Sequence, residues 1–222
     1  MTKDEIIRRR FPTLMAPREE PLPECPVGET RFLMAADGLY LETNQPWGRL
    51  IRRLWSLSRI RPLPYGSVEE VDEFHAILQD HIMPVISTHM VEDAAAYARD
   101  RKEWAGLAVW DGSGCYYLPV PFRASSFRAE DIRMPRLPEG HYIVGDVHSH
   151  HRMAPSFSTI DDNSDSMGAR ISVVLGNFKE GGEGPRVDWK ARYCVQGFIF
   201  SDDITCCQEA HGNDPKLIDI VF

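Results

Sequence analysis

The sequence predicts a mixed α/β protein in which a small module precedes a larger domain. Apolar and polar residues alternate, as in strands, along much of the second half of the chain. The residues before this region have helical spacing, and a pattern typical of a helix N-terminus lies within it. The chain has 222 residues, 43% of them hydrophobic and 26% charged, enough for one sizeable core and a small appended unit. We therefore expect a sandwich of a sheet flanked by helices.

The first part of the chain predicts a leader and a small module. Residues 1–28 carry five prolines and many charges, which is typical of an extended, partly flexible leader with little regular structure. Residues 29–75 begin with two short apolar segments on either side of Asp37 and Gly38, a pair that favours tight turns. We expect two strands here and then a helix, which together make a strand-strand-helix module.

The helix of this module is predicted over residues 46–55. Four apolar side chains of the segment share one helical face: Leu50, Ile51, Leu54 and Trp55. Arginines stand in the same stretch and just after it, at positions 49, 52, 53, 59 and 61. Because no acidic residue lies between them, they predict either a solvated helix face or a surface that docks an acidic partner.

Residues 76–222 are predicted to form the larger domain. Helical spacing begins before it, at Val68, and ends at Arg99 in an alanine-rich stretch. Strand patterns follow in four segments, a hairpin over residues 104–120 and single strands over 141–150, 170–178 and 189–200. No internal repeat is present, so we assign these elements to one fold.

Composition excludes several classes of function. The net charge of −8 is spread evenly over both halves, so no basic segment is available for phosphates and we do not expect nucleic acid as a partner. The absence of a long apolar run and of a signal sequence predicts a cytoplasmic protein with no membrane partner. Five cysteines without a CxxC pair argue against a disulfide framework or a thiolate zinc site.

The segment GDVHSHHRMAPSFSTIDD, residues 145–162, predicts a metal site. His148 and His150 lie two residues apart at the end of a predicted strand, where alternate side chains point the same way. Ser158 and Asp161 have capping-box spacing, so a helix should begin here and turn the carboxylate towards the strand end. Two histidines and one carboxylate leave a fourth position for water, which is the arrangement of catalytic zinc.

Other interpretations of the same residues stay open. A histidine at a strand end is most often an ordinary polar residue, and Ser158 with Asp161 can be a capping box alone. Asp162 can replace Asp161 as the third ligand if the helix shifts by one residue. We expect His151 on the opposite face of the strand, either solvated or behind the ligands.

The pattern HxHx7SxxD, formed by His148, His150, Ser158 and Asp161, resembles the signature of the JAMM (JAB/MPN) zinc metalloproteases. The resemblance implies an MPN-type sheet flanked by helices, similar to the cytidine-deaminase sandwich. It also implies that the histidines and the aspartate bind Zn²⁺ and that the serine helps the reacting oxygen. The family has a catalytic glutamate ahead of an apolar strand, and Glu103 in KEWAGLAVW matches it.

The role of Glu103 has competing assignments. A carboxylate near basic residues at a helix end is usually a solvated ion-pair partner of little weight. Its position ahead of the histidine strand makes Glu103 the expected base, because such a group must lie within hydrogen-bond reach of the attacking water. Three rival carboxylates stand near the motif: Asp146, Asp162 and Asp165. By strand parity, Asp146 shares the face of the histidines.

The resemblance also implies a substrate and partners. It covers roughly residues 80–222, and AADGLYLETNQPWGRLIRRLW resembles the domain before the JAMM domain in protein A of the ParB-related, ThiF-related bacterial cassettes. Those cassettes and related operons encode proteins resembling activating enzymes, conjugating enzymes and ubiquitin-like modifiers. The implied activity is therefore an isopeptidase or processing peptidase that cleaves at the C-terminus of a ubiquitin-like protein or its conjugate. Loops at 123–140 and 178–186 either line a groove for the modifier's tail or are ordinary connections.

Three other functions compete with this assignment. DVHSHH is similar to the start of metal-dependent barrel hydrolases, but His211 is the one histidine that remains beyond the motif for further ligation. A non-enzymatic MPN scaffold would normally lack one of the ligands. A JAMM hydrolase that acts on another peptide or amino-acid conjugate has the same motif and stays open.

Overall fold

The computed structural model divides the chain into two compact units between Ile77 and Leu78. It describes residues 11–57, 62–124, 129–130, 134–181 and 184–209, together with residues 2, 5, 8 and 9. Both units combine strands with short helices, so the predicted mixed α/β class is confirmed. Within the described part of the chain, no helix is long and apolar enough to cross a membrane.

The first unit contains a five-stranded sheet with the order β1-β2-β3-β4-β5. Its strands are β1 (Thr13–Met15), β2 (Glu29–Ala35), β3 (Gly38–Gln45), β4 (Gly48–Ser56) and β5 (Val71–Asp72). The hairpin of β2 and β3 forms where the Asp37 turn was predicted. β1 pairs in parallel with β2 although little regular structure was expected in the leader, and Leu14 of β1 packs against the apolar core of the unit.

The segment 46–55 lies mostly in strand β4, so the predicted helix there is wrong. Ile51 belongs to the buried cluster on one face of the sheet. Gly48, on the other face, lies close to the short helix α1 (Glu73–Ile77). Since both faces are covered, the adjacent residues Leu50 and Ile51 are both buried, which imitates helical spacing. The helix of this module is α1, further along the chain.

The predicted basic surface is also wrong where its residues are described. Three arginines have a carboxylate within ion-pair distance: Arg49 with Glu42, Arg52 with Asp72, and Arg53 with Asp37. The carboxylates come from neighbouring strands or turns, which is why the local sequence did not show them. Positions 59 and 61 lie outside the described residues.

Glu42 is a fully buried carboxylate at the centre of this sheet. Its Oε2 accepts from Nε of Arg31 at 2.5 Å and its Oε1 from Nε of Arg49 at 2.9 Å. Because the two arginines lie on β2 and β4, the side chain on β3 joins three strands. Both carboxylate oxygens have charged donors, as burial of an ionised group requires.

The second unit contains a six-stranded sheet with the order β13-β12-β11-β10-β6-β7. Its strands are β6 (Ala105–Trp110), β7 (Cys115–Pro119), β10 (Tyr142–Ser149), β11 (Ala169–Gly181), β12 (Gly184–Val195) and β13 (Phe198–Glu209). β8 (Arg123–Ala124) and β9 (Ala129–Glu130) form a separate pair. The hairpin of β6 and β7 and the strands β10 and β11 confirm the sequence prediction. β10 lies in the interior of the sheet, parallel to β11 and antiparallel to β6.

Helices precede and interrupt this sheet. The unit begins with a π-helical turn, Leu78–Ile82, then α2 (Met83–Val85), a second π-helical turn, Ile86–Met90, and α3 (Val91–Arg99). The predicted helical segment is thus confirmed from Glu73 to Arg99, whereas its start at Val68 is wrong because β5 occupies Val71–Asp72. Pro84 lies where the regular hydrogen-bond ladder is interrupted, because proline has no N–H. α3 packs against β10 and β12. A further helix, α4 (Thr159–Ser164), follows the histidines as predicted.

Two segments of the second unit differ from their predicted form. Residues 189–200, predicted as one strand, contain the turn between β12 and β13. Gln196 and Gly197 form this turn with φ of 51° and 89°, the left-handed conformations that a two-residue hairpin loop needs. The predicted loop 178–186 consists largely of the ends of β11 and β12, with residues 182–183 outside the description.

Replacing Glu42 by alanine should destabilise the first unit. The change leaves Arg31 and Arg49 without their buried acceptor, and breaking a buried pair costs about 3–5 kcal/mol. Since Arg49 is a third exposed and can turn to water, we expect the lower end of that range. Hydrogen exchange of peptides from β2 to β4 measures the loss, with Arg52→Ala, which breaks a partly exposed pair, as the control. Unchanged protection in Glu42→Ala would contradict the assignment.

Candidate metal centre

Strand β10 carries the two histidines to its C-terminal end. Its pairing with β11 on one side and β6 on the other fixes its position in the sheet. His148 lies on the strand and His150 just beyond it, with ring centroids 5.2 Å apart. The backbone N–H of His150 donates to the carbonyl of Leu175 at 2.7 Å, which continues the pairing past the strand end. The structure therefore brings the two predicted imidazoles together.

Ser149, between the histidines, connects this strand end to the segment before β6. Its hydroxyl is buried and accepts the backbone N–H of Trp104 at 2.9 Å. Its own backbone N–H donates to the carbonyl of Trp104, also at 2.9 Å. This reciprocal pair fixes the histidines relative to Glu103, the residue before Trp104.

Helix α4 supplies Asp161 through the predicted capping box. The hydroxyl of Ser158 accepts the backbone N–H of Asp161 at 3.4 Å, and the backbone N–H of Ser158 donates to Asp161 Oδ2 at 2.6 Å. The Ser158 hydroxyl also donates to that Oδ2, at 2.7 Å. Oδ2 is thus held by the cap, while Oδ1 lies towards His148. In this arrangement Ser158 orients the carboxylate.

The three predicted ligands fit a zinc ion. One donor atom from each of His148, His150 and Asp161 lies within 4.8 Å of the other two. Nε2 of His148 is 3.6 Å from Asp161 Oδ1, too far for a hydrogen bond, and it is buried without a hydrogen-bond partner among the described residues. Zinc bonds of about 2.0–2.1 Å place two tetrahedral ligands about 3.3 Å apart, so this orphaned atom faces a ligand-sized gap.

The protonation states of the three residues also suit a metal. Burial lowers the pKa of His148, although the charges of Asp161 and Asp165 oppose it. Burial and the neighbouring His148 lower the pKa of His150. Burial raises the pKa of Asp161, but His148 and the hydrogen bonds from Ser158 outweigh it, and the net pKa is lowered. Neutral imidazoles and an ionised carboxylate are the forms that coordinate zinc.

The end of α3 brings Glu103 to the same place. The N–H of Lys102 donates to the carbonyl of Tyr97 and that of Arg101 to Ala98, each at 3.1 Å. These two bonds form a Schellman motif, and Arg101 takes the left-handed φ of 55° that the motif requires. The helix ends there, and Glu103 follows two residues later, just before β6.

Glu103 is a buried carboxyl in a cavity that two of the predicted ligands also line. Only 4% of the residue is exposed. The cavity has a volume of about 180 Å³, and Glu103, His148 and Asp161 line it together with the apolar Leu107 and Val120. Burial and then the charge of Asp161 raise the pKa of Glu103 to about 7. A carboxyl with such a pKa can both accept and release a proton near neutrality.

The rival aspartates are held by arginines. Asp146 Oδ1 lies 2.9 Å from Nε of Arg170. Asp162 accepts from Nη1 of Arg192 at 2.7 Å, and among the described residues it is Asp161 that groups with the two histidines. Asp165 is fully buried and contacts both Arg170 and Arg192. Glu103 differs from all three because the structure gives its carboxylate no arginine partner among the described residues.

His151 was predicted to lie on the opposite face of the strand, and this prediction is wrong. β10 ends at Ser149, and His151 stands in the turn that follows, with a left-handed φ of 43°. Its Nδ1 accepts the backbone N–H of Arg152 at 2.8 Å. The prediction extended the alternation of side chains along β10 to His151, but the strand ends two residues before it.

Sequence reasoning missed Arg170 and Arg192. Arg192 is 3% exposed and is paired in register with Ser172, while Arg170 is paired with Cys194. Ser172 in turn is the partner of Asp146, so strand alternation places both arginines on the face of the histidines. The signal in the sequence was a charged residue inside each of two apolar strands, since a buried arginine requires an acidic partner.

Comparison with protein-family models finds a match within the second unit. Residues 84–191 match the model described as prokaryotic homologs of the JAB domain. This part of the chain is therefore similar to the JAB domains of prokaryotes. Glu103, His148, His150 and Asp161 all lie within the matched range, and the mixed sheet with few helices is the MPN-type fold that the sequence predicted.

The first unit matches a different model. Residues 1–75 correspond to a domain of unknown function, DUF2016. No curated protein was found to be similar to the chain. At the family level, a JAB-type domain is compatible with a peptidase, an isopeptidase or a scaffold, so the chemistry has to be argued from the residues of the site.

Replacing Ser149 by alanine should destabilise the second unit. Trp104 loses the acceptor of its buried N–H, and an unsatisfied buried donor costs about 1–3 kcal/mol. The free energy of unfolding in urea measures this, and Ser113→Ala, which removes an exposed hydroxyl in the β6–β7 turn, is the control. If both variants unfolded at the urea concentration of the wild type, the connecting role of Ser149 would be wrong.

Proposed function

We propose that this chain is a zinc-dependent peptidase or isopeptidase that cleaves at the C-terminus of a ubiquitin-like protein. The observation that carries the proposal is the convergence of His148, His150 and Asp161 beside the buried carboxyl of Glu103. Three metal ligands with an adjacent proton acceptor are the parts needed to hydrolyse an amide bond with water. The match to a JAB-type domain supports the same class of chemistry.

The residues divide the reaction between them. Zinc, when bound by His148, His150 and Asp161, supplies a Lewis acid that acidifies water and polarises a carbonyl group. Glu103 accepts the proton of the attacking water and passes it to the leaving amine. Its burial beside the ligands supports this role, because the carboxyl changes protonation state near neutral pH.

Ser158 has two roles in the proposal. It orients Asp161, as its hydrogen bonds indicate. Its hydroxyl can also rotate towards the carbonyl oxygen of the substrate, where negative charge develops. A donor at that point commonly stabilises the transition state by about 3 kcal/mol. Loss of the hydroxyl should therefore reduce turnover more than binding.

The identity of the substrate rests on the resemblance of the sequence. The motif and the preceding segment resemble proteins encoded beside activating enzymes, conjugating enzymes and ubiquitin-like modifiers, so we propose these as partners in the cytoplasm. The small cavity, bordered by Ala105 and Gly106, suits the slender glycine-rich tail of such a modifier. The same residues would serve a hydrolase of another peptide or amino-acid conjugate, which is the alternative.

A modifier fused through its C-terminus to a reporter separates these substrates. We expect cleavage directly after the last residue of the ubiquitin-like protein, and loss of cleavage after zinc is removed with a chelator. Zinc added back should restore it. A reporter with the same folded modifier but a scrambled tail is the matched control. Equal cleavage of both reporters would favour a general peptidase and contradict the modifier assignment.

Replacing Glu103 by glutamine should abolish chemistry without loss of zinc or fold. Glutamine keeps the shape of the side chain but accepts no proton, and loss of a general base commonly costs about 10² to 10⁴ in rate. We expect kcat to fall by at least two decades while the variant still binds the substrate. Asp161→Asn, by contrast, should lose metal as well as rate. Near-normal turnover of zinc-loaded Glu103→Gln would assign the base to another carboxylate, Asp146 first.

A further inference from the structure

We propose that Arg192 is a positioning residue that holds the third metal ligand, Asp161, in place through helix α4. The inference rests on the proposed metal function and deepens it. The contact between Arg192 and α4 decides whether the carboxylate of Asp161 lies beside the two histidines.

Helix α4 has almost nothing apolar to hold it. It has six residues, all of them described, and none of them is buried. Its large apolar residue, Ile160, is 56% exposed. A helix this short is not stable by itself, since most helical stability in proteins comes from packing of an apolar face. The position of Asp161 must therefore come from polar contacts.

Arg192 supplies those contacts from β12. Its Nη1 donates to Asp162 Oδ1 at 2.7 Å, and its Nε donates to Asp165 Oδ2 at 2.8 Å. Asp162 directly follows the ligand, and Asp165 donates its backbone N–H to the carbonyl of Asp161 at 2.8 Å. One buried guanidinium thus grips the helix at two points just after Asp161.

The same guanidinium also contacts the chain just before the ligand. It lies 3.9 Å from the ring centroid of Phe157, the residue before the cap Ser158. The Phe157 ring in turn lies edge-on to His148, with centroids 6.3 Å apart. Arg192 therefore fixes both sides of Asp161 and reaches the first histidine through an aromatic ring.

Removal of Arg192 need not unfold the domain, because Arg170 shares its buried partner. Nη2 of Arg170 lies 2.9 Å from Asp165 Oδ1, and Nε lies 2.9 Å from Asp146. Asp165 therefore keeps one cation in the variant. What the variant loses is the grip on Asp162 and Phe157, the two contacts that flank the ligand.

Lysine cannot replace this side chain in full. The two aspartates are held by different nitrogens of one planar guanidinium, and a lysine ammonium offers a single point charge. Arg192→Lys keeps the charge but not the fork. Arg192→Met keeps much of the length and removes both.

Metal binding by the purified full chain tests the inference. The probes are Zn²⁺, titrated against a chromophoric chelator, and Co²⁺, whose visible absorption reports ligand geometry. We expect Arg192→Met to weaken affinity at least tenfold and to alter the cobalt spectrum, as loss of a contact behind a ligand commonly weakens metal binding about 10- to 100-fold. Arg192→Lys should lie between it and the wild type. In the metal-free protein, amide exchange over residues 158–165 should be faster in both variants.

A stability control separates positioning from general damage. Ile82→Ala truncates a fully buried side chain that lies close to Gly145, on the face of β10 opposite to the histidines. It should lower the unfolding temperature yet leave zinc affinity and the cobalt spectrum as in the wild type. Wild-type affinity and spectrum in Arg192→Met would overturn the inference, and so would an equal loss of metal in Ile82→Ala. A wild type that binds no zinc would instead overturn the proposed function.

Discussion

The reciprocal hydrogen bonds between Ser149 and Trp104 are the interaction on which the geometry of the site depends. They join the end of β10 to the segment that enters β6, where regular strand pairing no longer reaches. The buried hydroxyl of Ser149 takes the place of a backbone carbonyl as the acceptor, so the backbone N–H groups of both segments are hydrogen-bonded. The two histidines stand on either side of Ser149, and Glu103 stands beside Trp104. The separation between the two histidines and Glu103 is therefore set by the sheet and this pair of hydrogen bonds, and a site built on rigid elements keeps its geometry.

The rest of the site is built differently. Asp161 lies on a short helix that buries none of its described residues, and its place depends on hydrogen bonds and ion pairs. Burial of charged side chains costs free energy, and the replacement of a buried ion pair by apolar residues often increases the stability of a protein. An apolar replacement could hold the helix but would leave no charge to orient Asp162 and Asp165. The charged cluster therefore determines the direction of a carboxylate more than it adds stability.

The sequence predicted what is determined locally. The capping box of Ser158 and Asp161 and the alternation that pairs His148 with His150 each depend on residues within a few positions, so spacing was sufficient. Strand β4 was missed because both of its faces are covered, so adjacent residues are buried as they would be in a helix. The turn at Gln196 was missed because a left-handed backbone is unusual for residues other than glycine and asparagine. Arg192 was missed for another reason. Its partners lie about thirty positions away, and only the register of β11 and β12 brings them together.

Both units bury a carboxylate between two arginines, and the comparison shows how the consequence depends on the element that carries it. Glu42 lies on β3, which backbone ladders already hold on both edges, so its arginines add stability to a position that the sheet has fixed. Asp165 lies at the end of α4, where no ladder exists, so the same chemistry decides where the helix stands. An ion pair on a fixed strand affects mainly the energy of the fold. On an element with no other anchor it determines position, and beside the predicted metal ligands a shift in position changes the geometry that the site offers.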